Sequence, residues 1–266
     1  MTSIDRTFSL IRSLDDLARR DTPLARIDAR AKVLATFALL VTLASFGRYD
    51  VVRPLPLLIL LAAGVALGDV PVRVMAARVA IASPFAIMVG IWNPLFEPEP
   101  MLRLGPLVLS AGWLSFLSIL ERFLFAMAGV LVLIATTGMD AVATALGRLG
   151  MPRVLVTQLL MLYRYTFVLV AEVGRMLRAH ALRAPDHPRP TWRTMRSLLG
   201  ELLLRSLARA ERVHAAMLCR GFDGEIRRPV REHFGILDAA MLTGSLAFCV
   251  VVRLVDVPRW MGHVMS

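Results

Sequence analysis

The chain has 266 residues, is 57% hydrophobic and carries a formal net charge of +11, with a mean hydropathy of +0.64. A water-soluble domain of this length is less apolar and more charged, so the composition points to one polytopic membrane domain with a polar part attached. The positive charge does not indicate nucleic acid: the basic residues lie beside and between apolar runs, where membrane topology places them, and no basic module with interleaved aromatics occurs.

In chain order, Ile4, Phe8, Ile11, Leu14 and Leu17 recur every three or four residues among charged neighbours, which predicts an amphipathic helix lying on the membrane surface or against the protein. No secretory leader pattern is expected, because the first 30 residues are polar and mixed in charge. Apolar runs then cover Val33–Gly47, Leu55–Gly68, Val79–Phe96, Leu114–Thr137 and Gly235–Val252. Several fall short of the roughly 20 residues that span a bilayer, and flanking Arg side chains can snorkel to extend them. Pro84 and Pro94 are expected to bend the third. Arg122, beside Glu121, reads best as the outer end of a span from Phe123 to Thr137 preceded by an interfacial helix.

The loops set the orientation. Arg19, Arg20, Arg26, Arg30 and Lys32 precede the first span, and Arg73 and Arg78 follow the second, whereas the loop after the third holds Glu97 and Glu99 with only Arg103. This places the N-terminus inside. Four spans return the chain to the cytoplasm at residues 138–233, which contain about half of all the arginines. The organisation expected is therefore an N-terminal amphipathic segment over 1–30, four spans over 31–137, a cytoplasmic domain over 138–233, and a last span with its tail over 234–266. The run from Val154 to Ala171 is apolar, but it contains Gln158, Arg164 and Tyr165, and spanning would export the Arg-dense stretch behind it. We assign it to a long cytoplasmic helix. Gly150 and Pro152 open that helix, Pro185, Pro188 and Pro190 end it, and Thr191 caps a second one that runs to about Cys219 before Gly221.

Catalytic motifs are missing from the sequence. The single lysine, Lys32, has no glycine cradle, so a P-loop is excluded. The histidines His180, His187, His214, His233 and His263 and the cysteines Cys219 and Cys249 show no metal-ligand spacing. No resident cofactor or catalytic residue is expected, and a disulfide between two cysteines in different compartments is not expected either. The positive signal is a pair of similar helix ends: Met176 to Ala184, with Leu182-Arg183-Ala184, and Ala215 to Phe222, with Ala216, Met217, Cys219, Arg220 and Gly221. An Arg there complements the helix dipole and offers five donors to a partner's carboxylates and carbonyls. The plainer reading is an Arg that only caps its own helix.

At these residues the sequence resembles CbiQ, the transmembrane coupling (EcfT-type) component of energy-coupling-factor ABC transporters of the cobalt/nickel group. The resemblance extends through Ile27-Asp28-Ala29-Arg30-Ala31-Lys32, Thr136-Thr137-Gly138-Met139, Leu146 to Arg153 and Tyr163-Arg164-Tyr165 to Ala216 through Gly224. It implies an all-α membrane protein of about five transmembrane helices in a bacterial inner membrane, with long crossed helices forming a cytoplasmic coupling domain. It also implies two CbiO-type ATPase subunits that bind ATP and dock on Arg183 and Arg220, a CbiM-type substrate-binding membrane subunit, and a small CbiN-type accessory subunit. The family's coupling motif is Ala-Arg-Gly. Both arginines are present here, the preceding Ala is Leu182 or Cys219, and the first Gly is Ala184. Nickel in place of cobalt, and a self-sufficient secondary transporter or channel, are the alternatives.

Overall fold

The computed structural model describes residues 17–18, 20, 22–96, 100–104, 107–185, 190–226 and 234–254. The amphipathic segment predicted before Leu17 and the turn at 186–189 lie outside them. The described chain is helical apart from one antiparallel hairpin, β1 (Pro100–Leu104) and β2 (Leu107–Ser110), in the loop that the sequence left unstructured. It divides into two compact units, Leu14–Val142 with Glu232–Ser266 and Ala143–Arg231.

The first unit contains α1 (Ala29–Ser45), α2 (Leu57–Leu67), α3 (Val72–Gly90), the short α4 (Trp92–Phe96), α5 (Ala111–Thr137) and, after the second unit, α9 (Ile236–Leu254). Leu39, Leu43 and Phe46 of the first helix and its end meet Leu57 and Leu61 of α2, Phe125 of α5 and Cys249 and Val252 of α9 in one buried cluster. Outside this seam the helices expose large apolar side chains, among them Phe37, Ile59, Ile81, Phe85 and Val250. In water that exposure is costly, and in lipid it is the ordinary state of a spanning helix.

Two boundaries differ from the sequence reading. The second apolar run forms a helix of only 11 residues, because Pro54 and Pro56 delay its start. The fourth is a single unbroken helix of 27 residues, so Glu121 and Arg122 lie within it and no interfacial helix precedes a break. Tertiary contacts make this possible: Glu121 is buried among its neighbours, and Arg122 donates to the Gly47 carbonyl across the unit.

Polar contacts fasten the unit at the N-terminal end of α1. Asp28 caps that helix by accepting from the Arg30 amide at 2.8 Å. Asp238 accepts from the Asp28 amide at 2.7 Å through one oxygen and from the Gly235 amide at 2.7 Å through the other, joining the starts of α1 and α9. Lys32 donates to the Thr136 carbonyl at the end of α5, at 3.1 Å, supplying a cation where the helix dipole is negative.

The second unit holds most of α6 (Met139–Arg148) together with α7 (Arg153–Arg183) and α8 (Trp192–Cys219). Gly150 takes φ +109°, and the Met151 amide reaches back to the Leu146 carbonyl, so α6 is closed by a left-handed cap before Pro152 starts α7. Thr191 caps α8 by accepting from the Thr194 amide, as its sequence position predicts. Four described helices are long and apolar enough to cross a membrane: α3 continued to Pro94, α5, α7 and α9.

Candidate functional site

The site is built on α7 and α8. They run antiparallel, because the loop leaving α8 returns to the start of α7: Thr157 Oγ1 donates to the Gly224 carbonyl at 3.0 Å, and Arg153 pairs with Glu225 at 3.1 Å. Midway, Glu172 is the hub of a charge network. It pairs with Arg175 on its own helix and, across to α8, with Arg205 at 3.2 Å and Arg209 at 3.8 Å. Glu201 holds Arg205 from the other side at 2.7 Å. Hydrogen bonds that Arg205 donates to Glu201 first, and then to Glu172, raise its guanidinium above its ordinary pKa. Isolated surface pairs contribute little, whereas a carboxylate that is 12% exposed and shared by three arginines fixes one helix against another. Sequence reasoning missed this group. The signal available was that Glu172 is the only acidic residue of α7.

Arg183 and Arg220 lie at the two helix C-termini. Arg183 is the last residue of α7, exposed, beside Leu182 at 85% exposure. Ala184 follows at φ −131° and Pro185 prevents continuation. Arg220 is the C-cap of α8, and Gly221 follows at φ +79°. The Phe222 amide donates to the Met217 carbonyl and the Gly221 amide to the Leu218 carbonyl, each at 3.0 Å, which is a Schellman closure. Met217 and Phe222 line one hollow of about 490 Å³ with Met161 and Tyr165 of α7. Ala216, Cys219, Arg220 and Gly221 are exposed. Among the described residues neither guanidinium has a hydrogen-bond or ion-pair partner.

The fold does not bring the two arginines together. Arg183 lies 11 residues beyond Glu172 and Arg220 lies 15 beyond Arg205, in opposite directions. At 1.5 Å per residue the two ends are separated by at most ~40 Å of helix length. The pair also buries little of itself: Leu160 is the one buried residue of α7 and α8 has none. Leu199, Leu203 and Leu207 form an exposed stripe at i, i+4 spacing on α8. Among the described residues no group of three or more His, Cys, Asp or Glu is placed to hold a metal ion.

Residues 20–230 match the family described as CbiQ, cobalt transport protein. The chain belongs to that family. Similar proteins include an uncharacterized protein of Methanocaldococcus jannaschii, 31% identical over 46% of this chain and 42% of that protein. The cobalt transport protein CbiQ of Rhodobacter capsulatus is 31% identical over 36% of this chain and 39% of its own length. The chain thus spans about two-fifths of the length of the curated relatives it matches. Membership accounts for the apolar helices of the first unit: this is an all-α membrane protein of a cobalt transport family.

Proposed function

We propose that the chain is the transmembrane coupling subunit of an energy-coupling-factor ABC transporter that imports cobalt ions. In this reading it hydrolyses no ATP itself. Two CbiO-type ATPase subunits take the exposed helix ends at Arg183 and Arg220, one each. A CbiM-type membrane subunit, accompanied by a CbiN-type accessory subunit, captures the metal. Closing of the ATPases displaces the α7–α8 pair, and its exposed leucines transmit that movement to the substrate-binding subunit.

The observation that carries this reading is the pair of exposed guanidinium groups, without a partner among the described residues, at opposite ends of one braced helix pair. A guanidinium that only caps its own helix needs no second copy at the far end. The bracing at Glu172 makes the two ends move as one body, which a lever requires. Side chains also support a cytoplasmic position for α7. It has the length and hydropathy of a span, yet it carries Arg164 exposed at its middle and lies along α8, which holds Arg193, Arg196, Arg205, Arg209 and Arg212. Lipid around that pair would desolvate all of them.

Co-expression of the chain with a CbiO-type ATPase and a CbiM-type subunit tests the proposal through copurification and ATP-dependent cobalt uptake. Sidedness has its own probe in Cys219, which is exposed. A membrane-impermeant maleimide added to intact cells is expected to leave Cys219 unlabelled until the membrane is permeabilised. External labelling without permeabilisation overturns the topology.

A further inference from the structure

Among the described residues, the first unit contains a cleft of about 310 Å³. Helices α1 and α5 form its floor, through buried residues such as Leu39 and Val132, and α2 and α9 form its walls. Exposed Ala63 and Leu67 border the mouth on one side, and Ala240 and Gly244 on the other. A Cβ placed on Gly244 meets nothing within 4 Å. The walls are nearly all apolar, and the one charged group among them is Lys32, which is 4% exposed.

Lys32 decides what the cleft suits. An ammonium has three donors, and here one is used, on the Thr136 carbonyl. Asp28 and Asp238, joined to each other by the Asp28 amide at 2.7 Å, are the acidic residues nearest this end of the helix. An anionic group would meet two carboxylates along with the ammonium. A neutral acceptor, such as an ester carbonyl, takes the spare donors without that repulsion. Lys32 lies in the first turn of α1 and Thr136 in the last turn of α5, which puts both at the end of their helices, level with the polar interface of a bilayer. An apolar chain lying in this cleft makes dispersion contacts along its lining.

We propose that this cleft is a binding site for one lipid acyl chain, whose ester carbonyl accepts a hydrogen bond from Lys32. The proposal rests on the membrane embedding of the first unit and is independent of the coupling role of the second. The test uses the full chain in lipid nanodiscs containing phosphatidylethanolamine with a diazirine on its acyl chain. After irradiation and peptide mapping, label is expected to concentrate on α2 and α9 at the cleft. Gly244→Phe fills the mouth and is expected to abolish that label, and Ala63→Phe does the same from the opposite wall if the first variant inserts poorly. Lys32→Met should lower labelling about tenfold, the value of one charge-assisted hydrogen bond. Label spread evenly over all exposed helices, or unchanged in both Phe variants, overturns the site. Preferential labelling by a diazirine fatty acid over the ester overturns the neutral-acceptor assignment. Loss of label on adding a CbiM-type subunit shows that a partner helix is the occupant, and overturns the proposal.

Discussion

The C-termini of α7 and α8 present the same chemical group by different means. At α8 the chain reverses through Gly221 in a left-handed conformation, closes two backbone hydrogen bonds, sets Phe222 and Met217 on one hollow and is tied back to α7 by Thr157 and Arg153. At α7 the helix stops: Ala184 is at negative φ and Pro185 forbids another turn. One end is built and the other is merely terminated. The difference accounts for one departure from the Ala-Arg-Gly pattern that the resemblance implies, Ala184 in place of glycine. Glycine is required where φ is positive and is dispensable where it is not, so Ala184 is compatible with a working first end.

The largest effects should come from the arginines themselves. Arg220→Ala and Arg183→Ala are each expected to abolish cobalt uptake by the assembled transporter while the protein still inserts. Loss of an interfacial charge whose partner is buried costs about 2–5 kcal/mol, and two ends of one braced pair act together. Arg→Lys should rescue poorly at either end, because an ammonium lacks the planar fork. Uptake and ATPase copurification at wild-type levels in both Ala variants would reduce the two residues to helix caps. A defect confined to one variant would break the symmetry of the reading and leave a single docking end.

Gly221→Ala comes next. A side chain at φ +79° is disfavoured by roughly 1–2 kcal/mol, and no neighbour crowds the added methyl. The strain therefore acts on the closure alone. We expect the variant to copurify with the ATPase several-fold less well under salt washing, yet to keep Arg220. Undiminished retention would mean that the shape of the α8 end is not part of the contact.

Glu172→Gln should have a smaller effect, because it loosens the brace and leaves both ends intact. The expected cost is small, as for other solvent-screened ion pairs. It should appear as faster limited proteolysis of the α7–α8 connection and as uptake lowered but not abolished. If Glu172→Gln and the wild type are cleaved at equal rates, the network does not hold the pair.

Much of this arrangement was legible in the sequence. Gly150, Pro152, Pro185, Thr191 and Gly221 mark the ends of α7 and α8, since caps and breakers act within a few residues. What escaped depends on distant partners. The continuity of α5 past Glu121 and Arg122 relies on burial by other helices and on the Gly47 carbonyl, 75 positions away from Arg122. Asp238 joins α9 to an amide 210 positions away. The hairpin at 100–110 lies in a Pro-bearing stretch whose pattern indicates a loop as readily as strands. The exposed positions of Arg183 and Arg220 were expected from their place after apolar turns. Their separation was not, because it follows from the antiparallel pairing through Glu172.

The smallest effect is expected from Ala184→Gly, and it separates the two ends most cleanly. This substitution restores the family's glycine at the first motif. If the motif worked as a fixed tripeptide, the change would strengthen docking at Arg183. The backbone argues otherwise: Ala184 is at φ −131°, where alanine is at ease, so glycine relieves no strain. Its only general consequence is a more flexible unfolded chain, worth about 0.4–1 kcal/mol of lost stability. Uptake and ATPase copurification should therefore match the wild type, with at most a slightly lower melting temperature. Enhanced uptake or tighter ATPase retention would show that the α7 end also adopts a left-handed turn when its partner binds, and the contrast between a built end and a terminated one would then hold only for the free chain.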